Sequence, residues 1–264
     1  MTVARTDGAP VTLSAGGRGI DQNGDGLIDA TEGSSAAAPP GIIGSRDGLR
    51  QTVIDLMQLV REIEVGMDVD GDGHADLDAS RIYYFGQSFG GIYGTKFLAV
   101  EPNVAAGVPN VGGGSISEIS RLGSFRPLVT AALGARVPSL LNVPGGFNEN
   151  IPLRDQPPVV NTVPGAVAIQ EVLDRTEWVS QAGNPVAYAP HLRRWPLRGV
   201  PAKSVIFQFA KGDQTVPNPT SSALVRAGDL LDRTVYYRHD LAFAAFPTLP
   251  KNPHTFLTNL GNAA

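Results

Sequence analysis

The chain has 264 residues, 42% of them hydrophobic, with a formal net charge of −4 and no cysteine. The apolar content suffices for one sizeable core, while the acidic balance and the lack of a basic run exclude nucleic acid and anionic membrane surfaces as electrostatic partners. The missing cysteines exclude disulfides, thiol catalysis and thiolate metal sites. No stretch approaches the roughly 18 apolar residues of a spanning helix, so no stable membrane insertion is expected. Residues 1–10 lack the charged-then-apolar order of a signal peptide.

Residues 1–44 are rich in Gly, Ala, Pro and acidic side chains and read as extended loop and turn. Within them, residues 21–32 fit a twelve-residue calcium loop. Asp21, Asn23 and Asp25 supply oxygens at the first, third and fifth positions, Gly26 the sharp turn, Leu27 a backbone carbonyl, and Glu32 the bidentate carboxylate at the twelfth. Glycines before and serines after the loop take the place of flanking helices, so a lone calcium loop in a surface connection is expected rather than a sensor.

From Ser45, apolar residues Leu49, Val53, Leu56, Met57, Val60 and Ile63 recur at helical spacing, with Ser45 or Asp47 placed to cap a helix packed on a sheet. A second acidic loop follows directly. It offers Asp68, Asp70, Asp72 and Asp76 at the first, third, fifth and ninth positions, and the backbone carbonyl of His74 at the seventh. Its twelfth position is Ala79, so Asp78 or water has to take the place of the missing glutamate.

Next comes an apolar run, Ile82 to Phe85, that breaks into Gly86-Gln87-Ser88-Phe89-Gly90 and then a helical stretch from Ile92 to Val100. This is the pattern of a nucleophile elbow, in which a sharp strand-to-helix turn pushes a serine hydroxyl out of the backbone. With 31 glycines in the chain the five-letter match alone is weak; the strand before and helix after strengthen it. The amide of Phe89, first in the helix, is the expected oxyanion donor.

Ala105 to Val111 reads as the next strand. Residues 116–200 are Pro-rich and irregular, with helical stretches around Pro127 to Leu133 and Ala166 to Trp178, and a segment of this length between core strands reads as a lid or cap-like insertion. Phe125, Phe147, Trp178, Tyr188 and Trp195 are expected to form its core. Ser204 to Phe209 is a further apolar strand leading to Asp213, at the strand end where open α/β sheets place functional groups. Thr234 to Arg238 forms one more strand, followed by a loop of about fifteen residues and then His254 at the start of a final short helix.

The order Ser88, Asp213, His254 is that of nucleophile, acid and base. His254 would take the Ser88 proton and return it to the leaving group, with Asp213 fixing the imidazole tautomer. At this point the chain resembles the α/β-hydrolase family, and within it the bacterial secreted or surface lipases of the virulence-factor type. In those proteins an Arg-Asp helix like Ser45 to Leu56 leads through an Asp-Gly-Asp loop to a Gly-Gln-Ser-x-Gly-Gly elbow like Gly86 to Gly91. The resemblance covers about residue 15 to the end and implies carboxylic-ester hydrolysis by Ser88, Asp213 and His254. It implies an α/β fold, a mostly parallel sheet with flanking helices, in a single domain over residues 1–264.

One departure stands out. The second oxyanion donor of that family comes from a Gly-rich loop after an early strand, and nothing upstream of Ser45 resembles it except Gly16-Gly17-Arg18-Gly19. The chain therefore reads as a hydrolase lacking its early strands, with an exposed sheet edge that a homodimer could cover. Two functions follow: a serine esterase or lipase acting on small-molecule or lipid esters with an apolar acyl group, or a catalytically incompetent calcium-binding fragment or interaction domain. Calcium is the one expected cofactor, and calcium loops of modest affinity favour an extracellular, periplasmic or cell-surface location.

Overall fold

The computed structural model describes residues 2–4, 10–12, 25, 26, 42–150 and 162–262. In the stretch expected to be loop, β1 (Thr2–Ala4) and β2 (Pro10–Thr12) form a short antiparallel pair. The helix α1 spans Ile42–Val65 and buries Leu49, Val53 and Val60, as its apolar spacing requires. It begins before Ser45, so neither expected capping residue caps it. Asp47 instead pairs with Arg46 at 2.8 Å and Arg50 at 3.1 Å, and the hydrogen bond from Arg46 holds its carboxyl down at about 2.

The core sheet is parallel. β3 (Tyr83–Gln87) runs into α2 (Phe89–Val100), which crosses back to β4 (Ala106–Asn110). The insertion carries α3 (Ile116–Leu122), α4 (Arg126–Gly134), α5 (Ala166–Ser180), α6 (Pro185–Tyr188) and α7 (Pro190–Arg193). β5 (Ser204–Val205) and β6 (Phe207–Ala210) follow, then α8 (Asn218–Gly228), β7 (Thr234–Tyr237) and α9 (His239–Ala245). The order across the sheet is β3, β4, β6, β7, with β5 pairing β4 just ahead of β6. Each pair in this sheet is parallel, so the strand ends that carry loops toward a common site all point one way.

One face of the sheet holds the main core. Val205, Phe207 and Phe209 pack with Phe97, Leu98, Leu224 and Val225, so α2 and α8 cover that face. The core also takes in Ala189 and Leu192, which ties the last part of the expected insertion, α6 and α7, to the main body. The earlier part has a small core of its own from Leu133, Phe147, Ile169 and Leu173. There the aromatic expectation holds for Phe147 alone. Phe125, Trp178 and Trp195 are exposed and Tyr188 packs on the main core, because aliphatic side chains from α4 and α5 already fill the space between those helices.

Glu149 anchors this subdomain. It is buried, yet its carboxyl lies below the usual range, because burial, which alone would raise it, is outweighed by hydrogen bonds from Arg126 at 2.6 Å and Arg121 at 3.3 Å.

Two other departures have simple causes. The Ser204–Phe209 run is interrupted at Ile206, which is about half exposed. The stretch after β7, expected to be loop, forms α9, with the Phe243 ring against His239. On the face of the sheet away from α2 and α8, Tyr83, Phe85, Ile206 and Val235 are exposed, and β3 is an edge strand among the described residues. No helix among them is long and apolar enough to cross a membrane.

Candidate active site and acidic loop

Ser88 occupies the turn between β3 and α2 with φ 57° and ψ −115°, a backbone conformation that a side chain adopts only under strain. Its amide donates to Asn110 O at 2.9 Å, which fastens the turn to the end of β4. Gly86 permits the closure: a Cβ there would lie 2.4 Å from Gly90 O and 2.4 Å from the Tyr84 hydroxyl. That hydroxyl donates to Gly90 O at 2.6 Å, and burial pushes its pKa well above the ordinary tyrosine range, so it stays a donor. Gly91 is equally constrained, since a Cβ would lie 2.6 Å from Asn110 O. The two glycines let α2 start directly against β3 and β4 and leave the Ser88 side chain projecting.

The three residues expected to act together do meet. His254 Nε2 lies 2.7 Å from Ser88 Oγ, and His254 Nδ1 lies 2.8 Å from Asp213 Oδ2. Asp213 follows β6, and its side chain is almost fully buried while that of His254 is 13% exposed. Asp213 Oδ1 accepts from Thr215 N at 2.8 Å and Val216 N at 2.9 Å, so the carboxylate is fixed by its own turn and turns the other oxygen to the imidazole. His254 stands in a 3-10 helix, Pro253–Asn262, kinked at Thr255.

A chain of Ser hydroxyl, imidazole and buried carboxylate in this order can move a proton from the hydroxyl as it attacks an electrophile. Phe89 is the first residue of α2, a position whose amide has no acceptor within the helix, and it follows Ser88 in the chain. The Gly16 to Gly19 stretch lies outside the described residues.

Two residues at this site carry no ionisable group and are given no role of their own in the sequence analysis. Asn252 bonds to both the Asp213 turn and the His254 amide. Gln87 Nε2 approaches His254 O at 3.4 Å, longer than an ordinary hydrogen bond. The signal available for Asn252 was its place two residues before the histidine. Lys96, on the apolar α2, is buried with its Nζ on Leu49 O at 2.8 Å.

The acidic loop between α1 and β3 is closed by its own backbone amides. Asp68 accepts from Gly73 N at 2.8 Å, Gly71 N at 2.7 Å and Asp72 N at 3.1 Å, and these amides, Gly73 first, hold its carboxyl below the usual value. Oxygens of Asp68, Asp70 and Asp76 lie within 4.8 Å of one another, a hard-donor set suited to calcium. Gly73, at the sixth position, has φ 87°, the left-handed turn such a loop needs.

Asp72 stands apart from that group and caps His74 N at 2.9 Å. Asp78 does not replace the absent glutamate, since it faces Ser80 and Arg81, the latter at 2.6 Å. His74 is exposed. Of the first loop only Asp25 and Gly26 are described. Asp25 is exposed and Gly26 has φ 83°, whereas Asp21, Asn23, Leu27 and Glu32 lie outside the described residues.

Sheet, elbow and strand-end groups together make an α/β-hydrolase-like fold, with serine at a strand-to-helix turn, carboxylate after a later strand and histidine after the last. No family model matches the chain, and no curated protein matches it. Among solved structures it is similar to a monoacylglycerol lipase of Paleococcus ferrophilus, at 15% identity over 72% of this chain and 65% of that one, with a TM-score of 0.35. It is similar also to an acylaminoacyl peptidase of Pyrococcus horikoshii at 12% identity, over 78% of this chain and 23% of that one, TM-score 0.36. A third is acetyl xylan esterase 1 from Thermoanaerobacterium sp. JW/SL YS485, at 14% identity over 77% and 56%, TM-score 0.38. The chain thus spans less than two thirds of the length of each of the three. The geometry, and not these distant likenesses, carries the functional argument.

Proposed function

We propose that this protein is a serine hydrolase that cleaves carboxylic esters through an acyl-enzyme. The reading is supported by one observation above all: the unbroken line from Ser88 Oγ to His254 Nε2 at 2.7 Å and from His254 Nδ1 to Asp213 Oδ2 at 2.8 Å. His254 takes the Ser88 proton as Oγ bonds to the ester carbonyl carbon, and the resulting oxyanion lies against the Phe89 amide. The same imidazole then gives that proton to the departing alkoxide, leaving the acyl group on Ser88. Water, deprotonated by His254, attacks the acyl carbon; the acid departs and Ser88 recovers its proton. The Asp213 carboxylate stabilises the imidazolium formed in each half.

Calcium, held by Asp68, Asp70 and Asp76, belongs to this reading as a brace on the turn that leads from α1 into β3. It takes no part in the chemistry.

The test is hydrolysis of short and long p-nitrophenyl esters by the purified chain, with an organophosphonate as covalent probe and Ser88→Ala beside it. Loss of the nucleophile is expected to cut turnover by about six orders of magnitude and to abolish labelling. A folded chain that neither labels at Ser88 nor turns over any ester sinks the proposal and leaves a calcium-binding domain.

A further inference from the structure

We infer that Asn252 is the positioning residue that keeps His254 in register with Asp213. This deepens the hydrolase reading and rests on it. The observation is a set of three hydrogen bonds from one side chain, two of which cross between separate turns. Asn252 Oδ1 accepts from Gln214 N at 3.0 Å and from His254 N at 3.3 Å, while its Nδ2 donates to Thr215 Oγ1 at 2.9 Å.

An asparagine that served only to start the 3-10 helix would spend its oxygen on the amide two residues ahead and leave the rest to solvent. Here the same oxygen also takes the amide of Gln214, which follows Asp213 in the chain, and the amide group reaches the residue beyond it. The Asp213 turn is itself rigid, because Asp213 Oδ1 is tied to Thr215 N and Val216 N. Ser124 N, on the insertion side, closes on Gln214 O at 2.9 Å. Asn252 therefore grips a fixed block and presents the histidine to it. The contacts close a ring from Asp213 through Gln214 N, Asn252, Pro253 and His254 back to the carboxylate.

Without that ring the one hydrogen bond left between the His254 and Asp213 turns is that of imidazole to carboxylate, beside the packing of Phe256 on Ala210 and Val111. Asn252 touches neither Ser88 nor Phe89 in any hydrogen bond given above, so its effect on substrate binding is small and its effect on proton transfer is large.

The test reads the bond itself. In proton NMR of the chain at low temperature, the His254 Nδ1 proton donated to Asp213 gives a downfield resonance that His254→Ala removes and Ser88→Ala leaves. In Asn252→Ala this resonance is expected to vanish by exchange with water, and kcat to fall about 10- to 100-fold with KM changed by no more than about twofold.

Asn252→Asp keeps the doubly accepting oxygen and can take the Thr215 hydroxyl proton. It is expected to retain the resonance and most of kcat, and it carries the test if the alanine variant does not fold. A folded Asn252→Ala with the wild-type resonance and kcat overturns the inference, and so does a folded Asn252→Asp that lacks the resonance. The resonance needs no substrate. Absence of ester turnover in the wild type would sink the hydrolase reading while the positioning claim is still judged on its own signal.

Discussion

Replacing Lys96 by methionine is expected to stabilise the fold in neutral and mildly acidic solution, against the usual rule that core substitutions weaken it. Lys96 is 1% exposed, on the face of α2 that meets α1, and its Nζ donates to Leu49 O. Burial, helped by the neighbouring Arg50 charge, pushes its pKa from 10.5 to about 7. A tenfold change in a protonation equilibrium is about 1.4 kcal/mol, so keeping the ammonium in the fold below pH 7 costs about 5 kcal/mol relative to the neutral amine.

Methionine has nearly the same reach and no charge. It forgoes the bond to Leu49 O, about 1 kcal/mol, and that carbonyl keeps its place in the α1 ladder. The net gain is about 2–4 kcal/mol at pH 6. The sign follows from proton counts. Between pH 7 and 10.5 the unfolded chain holds a proton on Lys96 that the folded chain has released, so wild-type stability rises with pH across that window. Methionine has no such rise, and its advantage shrinks to zero or below near pH 10.5. Urea unfolding of both proteins at pH 6 and pH 10 measures this, with a midpoint gain of about 1 M expected at pH 6. A loss at pH 6, or an equal gain at both pH values, would refute the argument.

The elbow and the acidic loop give two further tests. Gly86→Ala forces a Cβ into backbone 2.4 Å away and is expected to cost about 1–3 kcal/mol and about 100-fold in ester turnover; a wild-type thermal melt with wild-type turnover would refute the close-approach argument. Asp68→Ala removes the acceptor for three amides and one oxygen of the calcium set. Calcium should raise the wild-type melting temperature, with each tenfold excess over its Kd worth about 1.4 kcal/mol, and raise that of Asp68→Ala by less, whereas equal shifts in both would place the ion elsewhere.

How far the sequence could be read depended on how locally each feature is encoded. The elbow was legible because its Gly-x-Ser-x-Gly run sits between strand and helix formers, although the close approaches are at Gly86 and Gly91 and a Cβ at Gly90 would make only ordinary contacts. Asp213 and His254 were legible by chain order, an acid and then a histidine after the elbow serine, although Arg238, His239 and Asp240 also follow β7. Asn252 was not, because its role lies in bonds to residues 38 and 37 positions away that nothing in its neighbourhood encodes. Lys96 was missed for the opposite reason: a lysine reads as solvent-facing even on an apolar helix, and its burial against α1, with Nζ on Leu49 O, is a matter of tertiary packing. The end of α1 in Asp-rich sequence was plain, yet its start at Ile42 was not, because Ser45 and Asp47 looked like caps while the helix had already begun.

The spread of the site over the sheet separates two properties that are often treated as one. Ser88, Asp213 and His254 follow β3, β6 and β7, strands held together through β4. Oxyanion stabilisation is different. In the proposed reaction the Phe89 amide is one donor to the oxyanion. One missing donor costs about two to three orders of magnitude in turnover, but it leaves the nucleophile and base intact. Covalent labelling of Ser88 by a phosphonate and catalytic turnover of an ester therefore need not rise and fall together. If the Phe89 amide were the sole oxyanion donor, ester turnover would be slow even with Ser88 and His254 correctly placed.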